Sequence, residues 1–465
     1  MSSTPGSSCD LLIAGGRILD LGAESGVLDD AGIAVHDGVI VGVGPSAEVE
    51  SLWRATRVID ATGQVISAGF VDAHVHLGAF LDTARPYQPS TGPGLFSGGG
   101  RIEVILPMIA RMCSMSVPDA LVAAVVRPGL VAMLKAGITG VVDAGGPGVG
   151  GVVSAAAELG IRVAVGPSLA DMWHDEHGRL VRQADADRLL DQARAAIDSY
   201  DWAGHGRVRA VVSGVETMGC SDELLAGIAE LTAARDVPTH LHSHVSEAAV
   251  QAHDAAFGRT ATQRLSAAGM LSPRCTLMHA GSLTDDDIAV FAETGVTVNH
   301  NPGGNALFGF GITAGRSVPR LLDAGVPVVL GSDTAPSFAV STPFDMIHAA
   351  LMLQRDLAGR DDALSLEQAL AMATHSGPSL GRPGQLGRVA EGQLADLVLL
   401  DTAGPHHLGT DHPVPALALH ARTADVAMVI VDGRVVVEHG DLVGVDEAAL
   451  ADSARQARTA IAAHH

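Results

Sequence analysis

Aromatic residues are scarce. Three tryptophans, two tyrosines and nine phenylalanines make up 3% of 465 residues. The core must therefore be assembled from Val, Leu, Ile and Ala, which suits parallel strands buried on both faces. No run of eighteen apolar residues occurs, which excludes a helix that spans a bilayer. At 47% hydrophobic and 17% charged, the composition also excludes a disordered chain. The four cysteines, Cys9, Cys113, Cys220 and Cys275, lie far apart with no C-x-x-C pair, which argues against a disulfide framework or a thiolate zinc site. Basic charge is short as well, with 29 Lys+Arg against 52 Asp+Glu and a net charge of −23. That balance opposes phosphate backbones and anionic lipid, so neither nucleic acid nor a membrane surface is an expected partner. The N-terminal "MSSTPGSSCDLLIAGG" has no basic segment followed by an apolar stretch, and a cytoplasmic protein is expected.

Several patterns are present. Between residues 10 and 64, β-rich pieces such as "DLLIAGGRILDL", "AGIAVHDGVIVGVG" and "TRVIDATG" are separated by Gly and Asp turns, the pattern of hairpins. From 65 to 388, eight short apolar runs alternate with helical stretches: "VISAGFVDAH", "GITGVVDAGG", "IRVAVGPSL", "VRAVVSGVE", "PTHLHSHVSE", "CTLMHAG", "VTVNHNP" and "VPVVLGSDT". Segments such as "DADRLLDQARAAIDSY", "SDELLAGIAELTAAR" and "TDDDIAVFAETG" have Ser, Thr or Asp in position to cap helices. The alternation predicts an α/β chain whose main body is a (β/α)8 barrel of TIM type. Hairpin patterning returns from 389 to 440, in "GQLADLVLLDTAG" and "DVAMVIVDGRVVVEHGDLV". The two flanks predict a second, smaller β-sandwich domain built from both chain termini, and residues 441–465 a closing helix. The Pro-, Gly- and Ser-rich stretch 84–100 follows the first barrel strand; a mobile lid over the site and a plain surface insertion are both open.

Two histidines one residue apart, His74 and His76, close the apolar run "GFVDAHVHLG". With 21 histidines in the chain, about one His-x-His arises by chance, so the pair alone decides little. The barrel adds what the pair lacks, because side chains at the C-terminal ends of its strands converge on one mouth. His242 and His244 end the fifth strand, His279 the sixth and Asp333 the eighth. An isolated histidine is more often a satisfied core or surface residue, but four such strand ends change the balance.

These segments resemble the amidohydrolase superfamily, in its cytosine deaminase and triazine hydrolase-like branch. The resemblance rests on "AGFVDAHVHLG", on "HSHVSE" where relatives show His-x-His-x-x-Glu, on "MHAGSLTDDDIAVFAETGVTVNHNPGGN", on "GSDT", and on "GRVAEGQLADLVLLD" with "VIVDGRVV". It covers nearly the whole chain. It implies one divalent metal held by His74, His76, His244 and Asp333, with Glu247 as proton shuttle and His279 orienting water or polarising the substrate. Asp333 would also take a proton from the metal's water. The alternative for Glu247 is a carboxylate at the start of the following helix. His242 then falls behind the ligands and His240 is structural. His300 and Asn301 either line the pocket or form a tight Asn-Pro turn. Glu216, ending the fourth strand, is read as a substitute ligand or a rim charge. That strand, "VRAVVSGVETMG", has no lysine to bridge a second metal, and Lys135 lies on a helical segment before the second strand. Zinc is the first expectation for the ion; cobalt, iron and manganese also fit imidazole and carboxylate donors.

Such a site makes hydroxide available near neutral pH and hydrolyses carbonyl or amidine carbons. Adenosine- and triazine-type relatives carry a histidine on strand four, and often an Arg-Gly pair after the first His-x-His. This chain has "SGVETMGCS" and "HLGAFLDTARPY" there. The expected reaction is cleavage of a non-peptide C–N bond in a small-molecule amide, urea or carbamate. Deamination of an aminoheterocycle, or a triazine-type hydrolysis, is the alternative. A catalytically inactive metal-binding scaffold stands behind both, since a decayed site would have lost one of Glu247, His279 and Asp333. A homo-oligomer, dimer or tetramer, is expected.

Overall fold

The computed structural model of the chain describes residues 6–22, 26–78, 106, 116–310, 317–333, 342–382 and 384–462. The stretch 84–100 and Cys113 lie outside the described residues. Alternating apolar positions and Asp-Gly turns build the first five strands: β1 (Ser7–Leu19), β2 (Val27–His36), β3 (Val39–Pro45), β4 (Trp53–Asp60) and β5 (Gln64–Ala68). Asp37 and Gly38, at φ 49° and 75°, turn β2 into β3 through the left-handed conformation that a two-residue hairpin requires.

The central segment supplies the parallel strands β6 (Phe70–Val75), β7 (Ile138–Asp143), β8 (Arg162–Val165), β9 (Ser168–Leu169), β12 (Val208–Ala210), β13 (Val212–Gly214), β14 (Thr239–Ser243), β15 (Cys275–His279), β16 (Thr297–His300) and β17 (Val328–Leu330), with a small hairpin of β10 (Met172–His174) and β11 (Leu180–Arg182) between them. They run in the orders β12-β8-β7-β6 and β17-β16-β15-β14-β13-β9. The third and fourth barrel strands are each broken in two, β8/β9 and β12/β13, and the halves join different sheets. Gly166 sits at the break, where a Cβ would lie 1.8 Å from the Val211 carbonyl oxygen. Beyond β17 the chain meets the first strand again, with Asp333 N donating to His74 O at 2.9 Å. Eight strand positions thus close in the TIM-type arrangement.

Helices pack outside. Those at Ala186–Tyr200, Asp222–Arg235 and Asp285–Thr294 are capped by Asp185, Ser221 and Thr284, each accepting a backbone N–H of the first turn. Val, Leu, Ile and Ala dominate the main core. Among the described residues no helix is long and apolar enough to cross a membrane.

Four further strands follow: β18 (Leu397–Asp401), β19 (Val426–Val431), β20 (Arg434–Glu438) and β21 (Asp441–Leu442). β18 pairs antiparallel with β5, Leu397 opposite Ala68 and Asp401 opposite Gln64, so strands from both ends share one nine-stranded sheet. Leu11, Ile13, Ile33, Ile66, Leu397 and Ile430 meet in its core. The terminal helix Glu447–Ala462 is tied to the barrel by Lys135, which ends the helix Asp119–Lys135 and reaches Glu447 at 2.9 Å.

Candidate metal centre and active site

His74 lies on β6, fully buried, and His76 follows the strand. Asp333 stands across the closure of the barrel. Its Oδ1 is 3.2 Å from His74 Nε2 and 3.7 Å from both His76 Nε2 and His279 Nε2. His74, His242, His279 and Asp333 each offer one donor atom, all within 4.8 Å of one another. His76 is alongside, its ring stacked on that of His242 with centroids 5.4 Å apart.

Burial fixes the charge states. It lowers His74 to a pKa of about 4 and His242 well below the usual imidazole range, so both are neutral with lone pairs to give. Burial alone would raise Asp333, but the surrounding imidazoles of His279, His74 and His76 hold its carboxyl well below the usual range. His279 Nδ1 lies 2.9 Å from Asn305 Oδ1, which puts the proton on Nδ1 and leaves Nε2 facing Asp333. Nitrogen and carboxylate donors at this spacing, with neutral imidazoles, fit a borderline divalent metal.

Backbone strain gathers here. His244, His279 and Asp333 have φ of 52°, 68° and 66°, a left-handed conformation that side chains with a Cβ adopt at a cost of order 1 kcal/mol.

Strand five differs from the expectation. β14 ends at Ser243, and the left-handed turn at His244 takes its ring out of the cluster. His244 Nδ1 contacts Ser243 Oγ at 2.8 Å and Nε2 contacts Thr262 Oγ1 at 3.2 Å. His242, still within the strand, takes the inward place that the resemblance implied for His244. Glu247 then begins the helix Glu247–Phe257 behind the cap Ser246, is exposed, and accepts from Gln251 at 3.1 Å. The structure does not bring Glu247 to the donor cluster.

The remaining residues are buried around the mouth. Glu216 caps the turn Thr217–Gly219 by accepting from Met218 N, and burial raises its carboxyl to about 7. Thr217 beside it bonds the His242 carbonyl at 3.2 Å and Ser243 Oγ at 2.9 Å. Both ring nitrogens of buried His300 lack a partner among the described residues. Asn301 stands at the N-cap position of the helix Pro302–Phe308 without a side-chain capping bond, its Nδ2 3.4 Å from His279 Nδ1. His240 is buried and paired with Ser379 Oγ.

Sequence reasoning missed Asn305 and Gly304. The signal was in "HNPGGN": on a helix entered at Asn301, residue 305 comes one turn later on the same face. Gly304 lets that helix approach, since a Cβ there would lie 2.5 Å from Asp333 Oδ2.

The class follows from barrel, donor set and sequence together. Residues 65–436 match the amidohydrolase family, and the chain belongs to it. It is a metal-dependent hydrolase acting on C–N bonds other than peptide bonds. More particularly, it is 29% identical to a 5-methylthioadenosine/S-adenosylhomocysteine deaminase of Syntrophobacter fumaroxidans over 95% of this chain and 96% of that one. A 5'-deoxyadenosine deaminase of Methanosarcina acetivorans is 27% identical over 96% and 97%. Among solved structures, an adenosine deaminase from Xanthomonas campestris with bound zinc superposes with TM-score 0.84 at 25% identity, covering 99% of this chain and 100% of that one. Atrazine chlorohydrolase from Arthrobacter aurescens complexed with zinc gives 0.83 at 25%, covering 96% and 100%.

Proposed function

We propose that this enzyme hydrolytically deaminates an amino-substituted nitrogen heterocycle of the adenosine type and releases ammonia. The carrying observation is similarity to deaminases along 95% of the chain, which outweighs the ranking of amides, ureas and carbamates first. A second reading keeps those substrates, because Glu216 follows β13 where adenosine- and triazine-type relatives carry a histidine.

One divalent ion, zinc by analogy with the neighbours, is held by His74, His76 and Asp333 with a histidine of strand five. When bound it would supply Lewis acidity and make hydroxide available near neutral pH. Ionised Asp333 accepts the proton of the attacking water. His279, its Nδ1–H held by Asn305, turns Nε2 to the reacting centre. For strand five the donor cluster supports His242. The His244-x-x-Glu247 spacing supports His244, with Glu247 then carrying a proton to the leaving nitrogen. In domains, we read 10–64 with 389–440 as a composite β-sandwich, 65–388 as the barrel and 441–465 as the closing helix.

The test is a screen of metal-reconstituted protein against aminopurine nucleosides, aminotriazines, ureas and carbamates. Ammonia from an aminoheterocycle is expected; release of a substituted amine, with no ammonia from any aminoheterocycle, overturns the proposal in favour of the second reading. The same assay on Glu247→Gln, with metal counted in His242→Ala and His244→Ala, decides strand five. Near-normal turnover for Glu247→Gln and metal loss in His242→Ala support His242. A fall of about 10²- to 10⁴-fold for Glu247→Gln, with metal loss in His244→Ala, supports His244.

A further inference from the structure

The connection from β18 to β19 contains a second cluster of metal-type donors that shares no residue with the barrel mouth. His406 and His407 stand on the 3-10 turn Pro405–His407, and Asp425 ends the turn Thr423–Asp425. His406 Nε2 is 3.0 Å from Asp425 Oδ2 and 3.1 Å from Oδ1, and His407 Nε2 is 3.2 Å from Oδ2. One donor atom from each residue lies within 4.8 Å of the others. His407 and Asp425 are only 3% and 7% exposed.

Around a tetrahedral ion with metal–ligand bonds of about 2.0–2.1 Å, neighbouring donors lie roughly 3.3 Å apart. The separations of 3.0 and 3.2 Å are close to that edge, and both are at or below the His–Asp333 separations of the barrel centre. Hydrogen bonding accounts less well for the arrangement. Asp425 Oδ2 already accepts the Arg422 backbone N–H at 2.8 Å, so three nitrogens crowd one oxygen that has two lone pairs. A shared cation removes the crowding, because each Nε2 then presents a lone pair to the ion instead of a proton to Oδ2. His407 also lines a cavity of about 200 Å³ with Arg17, Thr402, Thr410 and His412, a source of water for the position that three protein ligands leave open.

We propose that His406, His407 and Asp425 form a second divalent-metal site, of the zinc type, that staples this connection. The segment from 402 to 425 contains no regular element longer than five residues. Its structure consists of short helical turns, and a metal tying 406 to 425 closes them into one loop.

The test counts metal in chelator-stripped protein re-equilibrated with zinc alone. Wild type is expected to hold two equivalents per chain, the His406→Ala/His407→Ala variant one, and Asp333→Ala, which disables the barrel centre, one. In the Asp333→Ala background, zinc should still raise the melting temperature, and adding Asp425→Asn should abolish that rise. If the histidine double variant misfolds, Asp425→Asn in the wild-type background gives the same count. Metal-free Asp333→Ala, or a double variant that binds as much zinc as wild type, overturns the proposal. If instead the barrel holds no metal, Asp333→Ala and wild type both bind one equivalent while the double variant binds none, and the second site stands.

Discussion

Asn305 decides which ring nitrogen His279 turns toward Asp333. Its Oδ1, 2.9 Å from His279 Nδ1, is an acceptor only, so the ring must donate from Nδ1 and keep Nε2 unprotonated on the side of Asp333. Partners that fix a functional imidazole's tautomer are typically worth 10- to 100-fold in activity or metal affinity. Asn305→Leu should therefore lower kcat/KM by about that factor, and Asn305→Asp, which keeps the acceptor, should recover most of it. Equal losses in both variants would mean that Asn305 serves packing alone. His74, His76, His279 and Asp333 were legible in the sequence, because each ends an apolar run whose neighbours alternate with helices. Asn305 was not, because its role depends on a helix that enters directly behind β16, and Gly304 gives it that approach.

At the scale of elements, barrel strands and helix caps were readable from local pattern, whereas the end of β14 was not. His240, His242 and His244 repeat every second residue and so share a face; the period says nothing about where the strand stops. The left-handed turn at His244 and its contacts with Ser243 and Thr262 are tertiary facts. The breaks in the third and fourth barrel strands were equally silent. Just past β13, Glu216 carries a pH-dependent cost. Its carboxyl titrates near 7 in the folded chain, raised by burial from 4.5. Below about 4.5 the folded and unfolded states are both protonated. Between 4.5 and 7 the unfolded chain gives up a proton that the folded chain keeps, so folding stability falls as pH rises through this window and is level above it. The full loss is on the order of 3 kcal/mol. Glu216→Gln cannot ionise yet can still accept from Met218 N, so its advantage over wild type in urea unfolding of metal-free protein should grow from pH 5 to pH 8. An advantage independent of pH would mean that Glu216 titrates as an exposed carboxylate.

At the scale of the whole molecule, the barrel and the terminal sheet are joined by a buried guanidinium, Arg162, with Arg207 beside it on Asp432 at 3.3 Å. Arg162 begins β8 and is 2% exposed. Its Nε and Nη2 hold Asp396 at 2.7 and 2.9 Å, and Nη2 also reaches Asp432 at 2.9 Å. Asp396 precedes β18 and Asp432 sits in the turn between β19 and β20, so the fork spans the two bodies. Nothing local in "GIRVAVG" announces this, since the partners are 234 and 270 residues away. Arg162→Ala leaves Asp396, itself 3% exposed, buried without its counter-charge, and removing one partner of such a pair typically costs about 3–5 kcal/mol. The Arg162→Ala/Asp396→Ala double variant should lose less than the sum of the two single losses, because neither charge is then stranded. Arg162 lies at the N-terminal end of its strand and the donor cluster at the C-terminal ends, the division between stability and chemistry that barrels of this kind show. Urea midpoints should therefore shift strongly while kcat per folded molecule stays near wild type. A loss under 1 kcal/mol in Arg162→Ala, or a fall in kcat as large as the loss of stability, would show that the joint is dispensable or that it reaches the barrel mouth.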